Sequence, residues 1–345
     1  MNVPGTMRAA VLTRPRTIEI RRVPVPQMLR GDVLVRVASV GLCGSDVHFY
    51  EDGRVGDLSV DEPLILGHEA SGTIIAAEAE VDSARIGERV AIEPQRPCRR
   101  CNYCLTGRYN LCESMQFFSA PPIDGAFAEY IAVPADFAYP IGDRISDDAA
   151  ALIEPLSVAI AAVRKAEIVP GSRLLITGAG PIGLLVAAAA RAFGAVEIIM
   201  SDPLAARRGA SASHGATRML DPAIESPAEK SVDAFIDASG SSAAVLQGMR
   251  SIRPGGRCVL VGMGSPTIPI DVFLLQSREL SVEGLFRYVD TWPTAIALVE
   301  SGAVELDSLV SEHVPLERLA WAMDHNADAD ILKFIVQPWE ESSND

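Results

Sequence analysis

The chain has 345 residues, 48% of them hydrophobic and 22% charged, which is enough for two domains with substantial cores. Its formal net charge of −15 has the wrong sign for holding a nucleic-acid backbone, which needs a basic footprint. The longest apolar run, PIGLLVAAAA, ends at Arg191, well short of the ~20 residues of a membrane span, so neither nucleic acid nor membrane is an expected partner.

The opening MNVPGTMRAAVLTRPR lacks the basic-then-apolar layout of a secretory signal, which predicts a cytoplasmic protein. Structural disulfides are rare in that compartment, so the six cysteines need another role. From residue 7 to about 150 the chain reads as strands and turns. DVLVRVASVG, ASGTIIAA and ERVAIEP are short β-branched runs bounded by Gly, Asp and Pro. Within this region GLCGSDVHFY places Cys43, Ser45, Asp46 and His48 in six positions. Alone, Cys43 reads as a buried small residue. LGHE adds His68 and Glu69, and IEP adds Glu154. Sulfur, imidazole and carboxylate together suit Zn²⁺ with one position open for water or substrate. Cys98, Cys101, Cys104 and Cys112 have the spacing C-x2-C-x2-C-x7-C. Four thiolates closing on one lobe predict a second, structural zinc, and the spacing differs from the ferredoxin patterns.

From about residue 151 strands and helices alternate, as in a parallel, doubly wound sheet. SRLLITGAGPIGLLVAAAARAFGAVEIIMSD reads as apolar strand, glycine turn, Ala-rich helix and second strand. In it Gly178, Gly180 and Gly183 form G-x-G-x-x-G directly after a strand and at the opening of a helix. The glycines permit a tight turn and close approach of a pyrophosphate to the helix N-terminus. Asp202 ends the second strand, where an acid accepts hydrogen bonds from ribose hydroxyls. SVDAFIDASG and GGRCVLVGMG supply further strands, with the helix AAVLQGMRSIR between them. A helix in TWPTAIALVESG and the segment LVSEHVPLERLAWAMDHN follow and are expected to pack back on the first region, with EESSND a frayed end. Cys258 sits in a core-strand pattern, and His214, His313 and His325 lie in polar or turn contexts.

CGSDVHFY, LGHEASG, GRYNLC, ALIEPLSV and FRYVDTWP together resemble the zinc-dependent medium-chain dehydrogenase/reductase family, and within it the sorbitol and xylitol dehydrogenase branch. The similarity covers nearly the whole chain. It implies an α/β fold in two parts: a GroES-like β-rich catalytic domain (1–152 and 288–345, zinc lobe about 95–113) and a Rossmann domain with a doubly wound parallel sheet (153–287). It further implies a homotetramer. Carried over residue by residue, it implies a catalytic zinc held by Cys43, His68 and Glu69, with Glu154 acting through water or as an alternative ligand. Ser45 and His48 then match a proton relay. Phe49, Glu154, Arg287 and Tyr288 match substrate-lining positions. Ile182, Asp202, Arg207, Val261, Gly262, Met263, Leu285, Phe286 and Arg287 match NAD contacts. Two positions depart from the pattern: Phe49 replaces a common Tyr and so removes a hydroxyl, and Glu78 replaces a usual glycine in a turn. The expected reaction is oxidation of a polyol to the 2-ketose with hydride transfer to NAD. The alternative is another secondary alcohol of the butanediol or threonine type, and the remote alternative a non-catalytic NAD- and zinc-binding protein. Retention of Cys43, His68 and Glu154 argues against the last.

Overall fold

The computed structural model describes residues 3–264 and 266–339, so EESSND lies outside the described residues. The chain forms two compact units. One consists of residues up to Glu154 together with those from Trp292 onward; the other is Pro155–Thr291. Among the described residues no helix is long and apolar enough to cross a membrane.

The first unit is built on a mostly antiparallel seven-stranded sheet. Its main path runs Ala138–Pro140, Arg89–Ile92, Glu69–Ala77, Asp32–Gly41, Lys333–Val336 and Val310–Val314, with Tyr130–Pro134 also paired to Asp32–Gly41. The strand DVLVRVASVG is thus central, and eight of its ten residues are buried, which is why it reads as a nearly unbroken apolar run. The late segment Lys333–Val336 is fully buried and pairs antiparallel with it, Ile335 facing Gly41 and Val336 facing Val40. The C-terminal segment therefore completes the first region's sheet. Glu78 closes its turn without a glycine: its N–H donates to the Asp32 carbonyl and its own carbonyl accepts from Val81, both at 2.9 Å.

The second unit holds a six-stranded parallel sheet in the order Arg218–Leu220, Glu197–Ser201, Arg173–Thr177, Val232–Asp237, Ile252–Leu260, Ser281–Gly284. Numbered within this unit the order is 3-2-1-4-5-6, the doubly wound arrangement whose strand order reverses beside the first strand. Strands buried on both faces explain the runs LLIT, EIIMS and DAFID. The helix Pro181–Ala192 buries Gly183, Leu184, Leu185, Val186, Ala187, Ala189 and Ala190.

Candidate metal sites and cofactor turn

The first cluster lies at the carboxyl end of the central strand. Cys43 is the N-cap of the helix Gly44–Asp52, one residue after the chain leaves the sheet. Glu69 opens the adjacent strand directly after His68, and it pairs with Gly41 in the ladder. A Cβ on Gly41 would overlap the Glu69 carboxylate, so only glycine leaves room for that acid. Ligand atoms of Cys43, His68 and Glu69 all lie within 4.8 Å of one another.

Two residues that the sequence reading left unassigned organise this cluster. Asp46, fully buried, accepts from the Ser119 hydroxyl at 2.7 Å and from the N–H groups of Gly67 and Cys43, each at 3.2 Å. Its Oδ1 also lies 3.4 Å from His68 Nδ1. Burial works against the carboxylate, but the imidazole and these donors outweigh it and hold Asp46 below its usual range. With Nδ1 turned to Asp46, Nε2 is the ring nitrogen left for a metal, the usual carboxylate–histidine arrangement. Burial also opposes a charge on His68, yet Asp46 and Cys43 raise its pKa well above the ordinary value.

Lys333 is the second. It is buried, and its ammonium donates to both Glu69 carboxylate oxygens at 2.8 Å and to the Leu42 carbonyl at 2.9 Å. Desolvation disfavours its charge, but Glu69, Cys43 and Glu154 more than compensate, so it remains an ammonium. Lys333 thus compensates Glu69, while Asp46 faces the His68 imidazole. Cysteine sulfur, imidazole nitrogen and carboxylate oxygen gathered at one point form a donor set that fits zinc. The signals for both residues were slight: C-x-x-D reads as an ordinary helix cap, and Lys333 is a lone charge in the apolar run ILKFIV.

The remaining expected residues of this unit are placed as follows. Ser45 is half-buried and His48 exposed on the helix Gly44–Asp52, three residues apart and hence on one face. Glu154 is buried and close enough to act electrostatically on both Lys333 and Glu93. Phe49 is packed into the apolar core of the unit.

Cys98, Cys101, Cys104 and Cys112 form the second cluster, again with all four sulfurs within 4.8 Å. None is in a disulfide. Cys101 and Cys104 sulfurs are 3.5 Å apart, and those of Cys98 and Cys104 are 4.0 Å apart. A tetrahedron with Zn–S of about 2.3 Å has edges of about 3.8 Å, so the lobe fits zinc. Backbone N–H groups point at the sulfurs, Cys98 N–H to Cys112 at 3.2 Å and Cys101 N–H to Cys98 at 3.3 Å. Such donors favour thiolates: the N–H groups of Arg100 and Cys101 lower the pKa of Cys98, and those of Cys104 and Glu113 lower that of Cys101.

In the second unit the glycine turn follows the strand Arg173–Thr177, at the point where strand order reverses. Gly178 has φ of +90°, and a Cβ on Gly183 would overlap the Gly178 carbonyl. Gly180 caps the following helix without a side-chain hydrogen bond, leaving N–H groups for an anion. Asp202 is buried and accepts from Ala179 N–H through Oδ2 and from Leu204 N–H through Oδ1, each at 2.8 Å. It therefore clamps the turn, while each oxygen retains a lone pair for a ribose hydroxyl. Arg208 is occupied by the carbonyls of Asp202 and Pro203 and by Asp221. Arg207 Nη1 lies 4.0 Å from where a Gly180 Cβ would stand, and its buried Nε has no hydrogen-bond partner. The cradle suits a dinucleotide. Ile182 is half-buried in the first turn of the helix, and Val261 and Gly262 donate to the Asp237 carbonyl at 2.9 Å. Met263 and Phe286 are exposed, Leu285 donates to the Leu260 carbonyl at 3.0 Å, and the Arg287 guanidinium lies 4.6 Å above the Phe286 ring. Tyr288 is buried.

Comparison with known proteins agrees with this chemistry. Residues 29–143 match the alcohol dehydrogenase GroES-like domain, and residues 181–301 match the zinc-binding dehydrogenase domain. The chain is 40% identical over 347 residues to sorbitol dehydrogenase of Bacillus subtilis (strain 168), covering 97% of this chain and 98% of that protein. It is 41% identical over 302 residues to a probable D-xylulose reductase A of Aspergillus fumigatus, covering 84% of each. Among solved structures, a putative zinc-binding dehydrogenase from Sinorhizobium meliloti 1021 bound to NADP matches with a TM-score of 0.91 and 31% identity. That match covers 97% of this chain and 100% of the other.

Proposed function

This chain belongs to the zinc-dependent medium-chain dehydrogenase/reductase family, and from that premise we propose that it oxidises a polyol of the sorbitol or xylitol kind to the 2-ketose with NAD. The observation that carries the reading is the Cys43–His68–Glu69 cluster with its buried Asp46 and Lys333 supports, in a chain whose curated relatives are named sorbitol dehydrogenase and D-xylulose reductase. When bound, zinc supplies Lewis-acid polarisation of the alcohol oxygen and NAD supplies the hydride-accepting ring.

The chain's own residues do the rest. Cys43, His68 and Glu69 hold the catalytic zinc, and Asp46 fixes the histidine ring. Lys333 holds Glu69 in place through both carboxylate oxygens. Glu154 holds the hydroxyl side of the site. The proton released from the alcohol passes from half-buried Ser45 to exposed His48 and so to solvent, because a buried proton needs hydrogen-bonded carriers. Gly178, Gly180 and Gly183 cradle the pyrophosphate, and Asp202 accepts from the ribose. Ile182, Arg207, Val261–Met263 and Leu285–Arg287 complete the cofactor contacts. Arg287 and Tyr288 address hydroxyls beyond the reacting one. Cys98, Cys101, Cys104 and Cys112 hold a structural zinc. The assembly is a cytoplasmic homotetramer, and the exposed Val272 and Phe273 supply apolar surface of the kind such contacts cover.

Metal analysis and turnover test the reading together. Freshly purified protein should carry two zinc ions per chain and reduce NAD with xylitol or sorbitol. Cys43→Ala should lose one zinc and all turnover while staying folded, and Cys101→Ser should mainly lower the melting temperature. One zinc or none in the unchelated wild type would defeat the assignment.

A further inference from the structure

Asp237 is a buried acid outside the metal sites and the glycine turn. It ends the strand Val232–Asp237, 1% exposed, directly beside Thr177 at the end of the strand Arg173–Thr177. The Thr177 hydroxyl donates to Asp237 Oδ1 at 2.8 Å, and the Ser239 hydroxyl and N–H donate to the same oxygen at 2.6 and 3.1 Å. The Gly240 N–H donates to Oδ2 at 3.0 Å. The Asp237 main-chain carbonyl accepts from the N–H groups of Val261 and Gly262, each at 2.9 Å. One residue therefore fastens the ends of three neighbouring strands: Arg173–Thr177, its own, and Ile252–Leu260. The turns that follow these strands are packed without room for side chains. A Cβ on Gly178 would stand 2.9 Å from the Ala238 carbonyl, and one on Gly262 would stand 2.2 Å from the Gly240 nitrogen. One on Gly240 would stand 2.4 Å from the Met263 carbonyl oxygen.

We propose that Asp237 is a positioning residue for the nicotinamide half of the cofactor. Through the Ser239–Gly240 turn it fixes the backbone of residues 261–264, over which that half lies. The inference rests on the reading that this unit binds a dinucleotide. A doubly wound sheet consists of two mononucleotide-binding halves, and the dinucleotide lies across the carboxyl ends of the strands where their order reverses. Asp202 follows the strand Glu197–Ser201, on one side of Arg173–Thr177, so the adenosine ribose belongs on that side and the pyrophosphate at the glycine turn. The remaining mononucleotide then runs the other way, over the ends of Val232–Asp237 and Ile252–Leu260. Those are the ends that Asp237 holds together. An acid is required there because both of its oxygens face donors, and an ionised carboxylate accepts at both. In Asp237→Asn the amide oxygen is claimed by the three donors at the Oδ1 position, so the amide NH2 faces the Gly240 N–H, donor against donor. Gly240 has φ of +68° and abuts the backbone of Met263 and Gly264, so its displacement passes directly to that segment. The glycine turn has its own anchors, Gly178 N–H on the Ser201 carbonyl and Ala179 N–H on Asp202, both at 2.8 Å.

Binding of cofactor fragments to the zinc-loaded full chain tests this without turnover. ADP carries the adenosine and the pyrophosphate, and NADH adds the second ribose and the ring. Calorimetry should give Asp237→Asn an ADP affinity within about twofold of the wild type and an NADH affinity weaker by about tenfold or more, the scale of one buried donor left unpaired. Thr177→Val keeps the shape and removes a single neutral donor to Oδ1, so it should show the same split at about threefold. Should Asp237→Asn not fold, Thr177→Val decides by itself. Equal losses of ADP and NADH would make the acid a support of the whole unit and overturn the inference, as would unaltered NADH binding in either folded variant. A wild type that binds neither compound overturns the dinucleotide reading itself, and the inference with it.

Discussion

At the scale of single residues, the site is a problem of buried charge. Asp46, Glu69, Glu93 and Lys333 are all almost entirely withdrawn from solvent, where a charge is tolerated only with a partner. The Lys333–Glu69 pair is the tightest case, because the ammonium meets both carboxylate oxygens and a main-chain carbonyl at once. Replacing Lys333 by Met keeps the volume but leaves Glu69 uncompensated, so stability should fall by about 3–5 kcal/mol, the usual cost of stranding one member of a buried pair. Lys333→Met/Glu69→Gln, which removes both charges, should recover most of that loss in a denaturant melt. If the single variant is as stable as the wild type, Lys333 is not holding Glu69. Glu93 has the opposite sense. Its carboxyl rises from 4.5 to about 8 on folding, so folding takes up a proton. The stabilisation this gives is fully present below the unfolded value and is lost as pH rises through the folded one. Glu93→Gln does not titrate, so its stability relative to wild type should climb between about pH 5 and pH 8 and then level off. The gain should be on the order of a few kcal/mol at most, and parallel stability curves for the two proteins would remove the buried-acid account.

At the scale of elements, function sits where strands end. The central strand Asp32–Gly41 runs into Cys43, the strand Glu69–Ala77 starts with Glu69, and the strand Arg173–Thr177 runs into the glycine turn. The glycine turn was legible from its local signature, G-x-G-x-x-G between strand and helix, whereas Cys43, His68 and Glu69 were legible as a site only in combination and through the resemblance they carry. The parallel, doubly wound character of the second unit's sheet was equally legible, since alternation with helices leaves few topologies. What local pattern does not encode is a partner distant in sequence. Lys333 meets Glu69 across 264 positions, and Tyr139 meets Glu93 across 46; neither pairing leaves a trace in its own neighbourhood. Asp202 shows a middle case. Its place after the strand Glu197–Ser201 was readable, but its two bonds to the turn, at Ala179 and Leu204, were not. Those bonds give the residue two duties with separable readouts. Asp202→Asn keeps one acceptor oxygen and removes the charge, so kcat/KM should shift from NAD toward NADP, helped by Arg207, whose buried Nε lacks a hydrogen-bond partner. Asp202→Ala should also loosen the turn and lower the melting temperature of the cofactor-free protein. A preference for NADP in the wild type, or an unaltered ratio in both variants, counts against a charge-based choice.

At the scale of the whole molecule, the two units divide the work. The first carries the Cys43–His68–Glu69 cluster and the cysteine lobe, and the second carries the glycine turn together with Arg287 and Tyr288. In the proposed reaction, substrate choice falls to the last two. Arg287 adopts φ of +56°, a backbone conformation uncommon for a non-glycine residue and worth a functional explanation. Its guanidinium offers several donors in a fixed fork, which suits a chain of hydroxyls better than a single one. Phe49, in contrast, lies in the apolar core, so a tyrosine there would have to find a partner for its hydroxyl or lose stability. The choice among polyols should therefore respond to Arg287 far more than to Phe49. A site that hydrogen-bonds several hydroxyls discriminates strongly against analogues lacking them, because its own polar groups are left unpaired. Xylitol and sorbitol should then exceed 2,3-butanediol and 2-propanol in kcat/KM by at least tenfold, the equivalent of about 1.4 kcal/mol. Arg287→Ala should compress that ratio by lowering the polyol values while sparing the simple alcohols. If butanediol leads the panel and Arg287→Ala leaves the ranking as it was, the polyol assignment fails. The zinc-dependent oxidation of a secondary alcohol would then remain, with the butanediol type as its substrate.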